Sequence, residues 1–344
     1  MIGGAPLASR GIVVSYPSRH ARRLPAVPAA AYVIADAGTG AVLAAKDPHG
    51  HFRPASTLQI LTADTLMPVL RPGATVLASR VAARVTPAAV GLVAGRRYQV
   101  SALFRAMLLA SARDAAIALA EATGSSRRGV AMMNAEARHL RADDTVARRP
   151  DGLDARGQRS SPYDLALFAR QALAIPALMR IEAERTATFP QSRPHPVTLD
   201  NQNTMLGRYR GDLGGKIGWT RASQTTFIGW ARRHGRTLIV TIMHGTRLTG
   251  MRYAARLLNW GFAMDGRVRP VGILVRPRPG PGPGRHAVAR PLPAAVPVAA
   301  TLRPPGFPAI TVAAGAGVLL ALLVAGGIAL AVRRPPRAGS PPGP

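Results

Sequence analysis

The chain has 344 residues, 47% of them hydrophobic and none of them cysteine. That is ample material for a buried core, and it excludes disulfides, thiolate metal sites and cysteine nucleophiles. The formal net charge is +29, yet all but two of the 45 basic residues are arginine, the exceptions being Lys46 and Lys216. The arginines are scattered without a block of five like charges, which reads as a solvated basic surface rather than a nucleic-acid face.

Residues 1–27 show no clear pattern. Ile12-Val13-Val14 is too short for the apolar stretch of a signal peptide and is followed by Arg22-Arg23, so the segment is read as irregular. Residues 28–275 read as one globular domain. It opens with a strand over 31–37, a turn at Gly38-Thr39-Gly40 and a returning strand over 41–46. Helices are expected over 56–70, 101–109, 112–122 and 163–173. A strand over 213–219 follows, then a hairpin with arms 227–232 and 237–243 across His234-Gly235, then a helix over 251–263. Strands at both ends with helices between them point to an α+β fold, an antiparallel sheet covered by helices.

Residues 276–308 hold ten prolines and run Arg-Pro-Arg-Pro-Gly-Pro-Gly-Pro-Gly from Arg276. Such a composition builds no core and is expected to form an extended spacer of at most ~100 Å. Residues 309–332 carry no charge and are rich in Leu, Val, Ala and Gly, long enough for a transmembrane helix. Arg333, Arg334 and Arg337 in the short basic tail 333–344 favour a cytoplasmic C-terminus. A span there without an N-terminal signal would leave the domain in the cytoplasm. The expectation is that the reading frame begins upstream with a signal peptide, placing the domain outside a single-pass anchor.

Three segments carry chemistry. In Arg53-Pro-Ala-Ser-Thr-Leu-Gln-Ile-Leu-Thr62, Ser56 opens a helix, where the dipole favours developing negative charge, and Gln59 lies one turn on along the same face. A serine in that place is by itself far more often a helix cap than a nucleophile. The second segment contains Ser111-Ala112-Arg113, and the third is Gly214-Gly-Lys-Ile-Gly-Trp-Thr220. Their order and spacing resemble the three motifs of the low-molecular-mass penicillin-binding proteins, the D-alanyl-D-alanine carboxypeptidase family. The flanks Tyr32-Val-Ile-Ala-Asp-Ala-Gly-Thr-Gly40, Gly152-Leu-Asp154, Tyr163-Asp-Leu-Ala166 and Leu238-Ile-Val240 extend the resemblance over roughly residues 28–275.

The resemblance implies a serine β-lactamase-like fold with a helical lobe, the site lying between the lobe and the edge of the sheet. It implies a serine peptidase of peptidoglycan metabolism that attacks a terminal D-Ala-D-Ala bond, forms an acyl-enzyme and hydrolyses it. The partner would be a stem peptide or another wall component. Carried over by position, Ser56 is the nucleophile, Ser111 a proton shuttle and Lys216 the holder of the substrate carboxylate. Gly218, Trp219 and Thr220 line the substrate, and the backbone N–H groups of Ser56 and Trp219 form the oxyanion hole. No cofactor or metal is implied, and the eight histidines show no ligand spacing.

This chain departs from the pattern at three positions. Gln59 replaces the lysine that takes the proton from the serine, and an amide has no useful basicity. Arg113 replaces a neutral amide with a guanidinium that does not deprotonate. Ile217 removes a hydroxyl expected to bond the substrate carboxylate. Loss of a general base alone costs ~10²–10⁴ in rate. Lys216 and Arg113 together keep the cleft positive, and Arg113 is expected to reach Gln59 by hydrogen bond and close the cleft. The pattern favours a pseudoenzyme that binds wall peptides without turnover. The alternatives are an active carboxypeptidase that uses Lys216 as its base, and a basic membrane-anchored interaction protein.

Overall fold

Small and branched apolar residues alternate along the long strands, so each strand buries one set of side chains on each face. In chain order the elements are β1 (Ile12–Val14), β2 (Ala29–Asp36), β3 (Ala41–Lys46), α1 (Leu58–Leu66), β4 (Thr75–Leu77), α2 (Arg80–Ala83), β5 (Arg97–Gln99), α3 (Val100–Ala110), α4 (Arg113–Glu121), α5 (Ser126–His139), α6 (Pro162–Ala172) and α7 (Pro176–Glu182), then β6 (Thr186–Phe189), β7 (Val197–Asp200), β8 (Asp212–Thr220), β9 (Gln224–Arg233), β10 (Arg236–Gly245), α8 (Gly250–Met264) and β11 (Gly272–Ile273). The computed structural model describes residues 2–280 and 282, apart from 19–20, 191–195, 247–249 and 265.

The main sheet is antiparallel in the order β1-β3-β2-β10-β9-β8, with β11 also on β3, which leaves β8 as an edge. Val33, Ala35, Ile228, Trp230 and Ile239 face α6 and the helical lobe. Tyr32, Ile34, Phe227, Leu238 and Val240 face α8 on the other side. The indole of Trp230 donates to Ala169 O at 2.7 Å, so its polar edge is satisfied inside the core.

Helix α1 runs through the middle of the lobe and is buried on every side, polar residues included. Buried hydroxyls need internal partners: Thr62 donates to Pro150 O and Thr65 to Leu61 O, each at 2.7 Å. The helix stops at Leu66 rather than continuing to 70, because Pro68 has no N–H to continue the backbone ladder.

The segment 1–27, expected to be irregular, contains β1. Its three branched residues pair with Ala44–Lys46 of β3 and cover that edge. Helix α5, which pattern reading missed, starts at Ser125, whose hydroxyl accepts from Arg128 N at 3.1 Å. The first residues of the proline-rich spacer are tied to the lobe: Arg278 donates from its backbone to His139 O at 2.8 Å and from its guanidinium to Arg138 O at 3.0 Å, capping the C-terminus of α5. Most of the spacer, the segment 309–332 and the tail lie outside the described residues. Among the described residues no helix is long and apolar enough to cross a membrane.

Candidate active site

Ser56 sits in a single 3₁₀ turn, Ala55–Thr57, that leads into α1, rather than in the α-helix itself. Ala55 has φ +47°, a left-handed conformation costing an L-residue ~1–3 kcal/mol. Pro54 O fixes the turn by accepting from Thr57 at 2.6 Å and from Thr226 of β9 at 2.8 Å. Two glycines let neighbouring backbones close on it. A Cβ at Gly218 would stand 2.6 Å from Ser56 N, and one at Gly152 would stand 2.1 Å from Ala55 O. The edge strand β8 therefore runs directly against the serine.

Ser111 arrives from another direction. Helix α3 ends in a left-handed residue, Ser111 at φ 56°, before α4 begins at Arg113. Lys216 projects from β8, is 1% exposed, and donates to the Ser111 hydroxyl and, at 3.0 Å, to Ile217 O. Burial pushes its ammonium below the ordinary lysine range, and the facing carboxylate of Glu182 opposes that shift. The cleft between lobe and sheet edge has a volume of about 460 Å³, and Ser56, Ser111, Arg113, Asp151, Ile217 and Trp219 are among its walls. Gly218 and Thr220 also line it.

Gln59 is 0% exposed. Its amide nitrogen donates to Asp151 O at 3.2 Å and, at the 3.5 Å limit, to Ser111 O, while its oxygen has no partner. The Ser56 hydroxyl makes no hydrogen bond among the described residues, so Gln59 does not position it. The two carbonyls form a pocket suited to a donor-only group. Lysine has three donors and no acceptor, whereas glutamine leaves one polar atom unsatisfied there.

Arg113 does not reach Gln59, contrary to expectation. Its guanidinium donates to Asp151 Oδ2 at 3.1 Å and to the carbonyls of Thr86 and Pro87 at 3.2 and 3.4 Å. Asp151 is 0% exposed and also takes two hydrogen bonds from Arg149, at 3.0 and 2.9 Å. Burial alone would raise the Asp151 carboxyl, but the bonds and charges of Arg149 and Arg113 outweigh it and hold the group below its ordinary value. The expected positive charge is thus met in part from inside: Asp151 is shared between Arg113 and Arg149, and Glu182 faces Lys216. Among the described residues no group of three His, Asp or Glu side chains could hold a metal ion.

Residues 18–247 match the sequence profile of the family described as D-alanyl-D-alanine carboxypeptidase. The chain belongs to that family. It is 38% identical over 248 residues to D-alanyl-D-alanine carboxypeptidase DacB2 of Mycobacterium tuberculosis, a match covering 70% of this chain and 85% of that one. To DacD of Escherichia coli it is 32% identical over 252 residues, covering 69% of this chain and 64% of the other. Among solved structures it resembles an evolved penicillin-binding protein homologue from M. tuberculosis, with a TM-score of 0.72 and 36% identity over 76% of this chain and 100% of that one. It also resembles a single-substitution variant of the Streptomyces K15 DD-transpeptidase, with a TM-score of 0.65 and 25% identity over 70% of this chain and 99% of that one.

In this carboxypeptidase-family chain Ser56, from a turn, and Ser111, from a helix end, line one cleft, and Lys216, from a strand, is bonded to Ser111. Sequence reasoning missed Asp151, Arg149 and Glu182. Asp151 directly precedes the flank Gly152-Leu-Asp154, and that adjacency was a usable signal. Glu182 carried none: it belongs to no motif and meets Lys216 only because α7 crosses β8.

Proposed function

We propose that the cleft binds the D-Ala-D-Ala end of a peptidoglycan stem peptide and turns it over very slowly or not at all. The observation that carries this reading is Gln59. It fills a buried pocket whose partners are two carbonyls, keeps an unsatisfied oxygen there, and supplies no base to Ser56. The walls that recognise a ligand remain: the β8 edge at Gly218 to Thr220, the Gly218 contact with the Ser56 amide, and Lys216 behind Ser111. Calorimetry with a peptide ending in D-Ala-D-Ala should give saturable binding that the L-Ala-L-Ala peptide lacks, with no free D-alanine released over hours. Absence of binding, or rapid turnover abolished by Ser56→Ala, would overturn it.

Turnover of that kind would favour the second reading, in which Lys216 serves as base through Ser111. The supporting feature is the direct hydrogen bond between the two, on an amine whose pKa burial lowers.

Anchoring by residues 309–332, with the domain on the outer side of the membrane, belongs to the same proposal. Its support is the uncharged run followed by Arg333 and Arg334. The full chain should stay with membranes through an alkaline carbonate wash, and its release would remove this part.

A further inference from the structure

Lys216 is not the only buried ionisable group behind the cleft. Helix α7 starts at Pro176 and ends on β8 at Glu182. The approach is close: a Cβ at Gly214, where φ is +130°, would stand 2.7 Å from Glu182 Cβ and 2.8 Å from Glu182 O. Asn201 holds the helix end there, donating to Glu182 O at 3.0 Å and to Glu184 O at 2.9 Å. Side chains two residues apart on a strand share a face. Glu182, seated on Gly214, is therefore on the face from which Lys216 projects. Both residues are 1% exposed.

Glu182 makes no direct ion pair among the described residues. The Gly215 N–H favours its ionised form but completes no hydrogen bond, and Lys216 is the cation that faces it. The other ionisable group facing it is Asp212, on β8 itself, whose carboxyl is pushed up to about 6 by burial and is bonded by Asn203 at 3.0 Å. Opposite Lys216, β9 presents the apolar Ile228. The junction of α3 and α4 presents Ser111, with Arg113 already committed to Asp151. Glu182 is thus the group placed to set the charge of the single amine at this site. Burial disfavours both ions, and each restores the other.

We propose that Glu182 is a positioning residue of the cleft: by facing Lys216 across β8 it keeps that residue an ammonium against Ser111, and so sets the pH range in which the cleft takes an anionic ligand. The second half of the proposal rests on the reading that the cleft binds the carboxylate of a stem peptide.

The chain has only two lysines, Lys46 and Lys216. Labelling with [¹³Cε]-lysine therefore gives two NMR signals in the full protein, and Lys46→Arg identifies them. In Glu182→Gln the titration midpoint of Lys216 should fall by ~1–3 pH units, the usual effect of removing a facing opposite charge. Glu182→Asp should bring it part of the way back. A midpoint that does not move, or moves up, would overturn the proposal. The unmodified protein provides a check that needs no variant: its Lys216 signal should show a second, lower inflection as Glu182 ionises, and a single-step curve would count against the pairing. D-Ala-D-Ala peptide binding should be lost with rising pH at the Lys216 midpoint, and at lower pH in Glu182→Gln. A protein with the NMR shift but no peptide binding at any pH would keep the Glu182–Lys216 coupling and sink the carboxylate-binding reading.

Discussion

A chain carrying Gln59→Lys, Arg113→Asn and Ile217→Thr together is expected to be acylated at Ser56 by a fluorescent penicillin at least ~10²-fold faster than the unmodified protein, the lower bound for restoring a general base. The structure supplies the reason. Asp151 O and Ser111 O already accept from the side chain at 59, so an amine there finds partners and still has a hydrogen or a lone pair to spend on the Ser56 hydroxyl. The unpartnered oxygen of Gln59 disappears at the same time. The Ser56 turn, its contact with Gly218 and the Lys216–Ser111 hydrogen bond need no rebuilding.

Gln59→Lys alone should deliver the larger share of that gain. The sequence places Arg113 against Gln59, where it would crowd a lysine. Asp151 instead holds Arg113 toward the carbonyls of Thr86 and Pro87. Arg113→Asn and Ile217→Thr then act on ligand contacts, and the three effects should be non-additive because the groups form one unit. The measurement is the rate of covalent labelling on a denaturing gel, with Ser56→Ala as the blank. Rapid labelling of the unmodified protein would show an active enzyme using another base. A triple variant that melts cooperatively yet fails to label would place the defect outside the three motifs.

What could be read from the sequence was local, or borne by a motif. Ser56, Gln59, Ser111 and Lys216 were identifiable because three short segments kept order and spacing; the structure sets Ser56 and Ser111 on the wall of one cleft and buries Gln59 and Lys216 behind it. The strands Ala29–Asp36 and Ala41–Lys46 were legible from their alternation across a Gly-Thr-Gly turn. Long-range electrostatics were not legible. The ion pair of Arg113 with Asp151 joins residues 38 positions apart, and nothing in the string marks which of the many arginines will find an acid. The motif positions Arg113 and Lys216 suggest a positive cleft, and the string does not show that Asp151, shared with Arg149, bonds the first or that Glu182 faces the second. β1 was missed because a three-residue strand carries too little pattern of its own and exists only through its pairing with β3.

Asp151→Asn should weaken the fold and tighten the cleft's hold on anions, two effects of opposite sign. Asp151 is fully buried, accepts from Arg113 and Arg149, and also takes the Leu153 N–H at 3.2 Å. Breaking a buried pair from one side typically costs 3–5 kcal/mol. Arg149 is 37% exposed and can regain water, so about 2–3 kcal/mol is expected here. For a domain of this size that is a fall in Tm of roughly 4–12 °C.

The pH dependence follows from the sign of the shift. The folded carboxyl sits below its ordinary value of 3.8, so its contribution is complete above that pH and is lost as the pH falls through the lower folded value. The stability gap between unmodified protein and variant should therefore be constant from pH 5 to 8 and shrink below about pH 4, which urea unfolding at several pH values will read. At neutral pH the variant leaves Arg113 without its carboxylate at the cleft wall, so a carboxylate ligand gains an uncompensated partner and its Kd should fall. If stability and affinity drop together instead, Asp151 is a brace that shapes the cleft, and the charge of Arg113 plays no part in what the cleft binds.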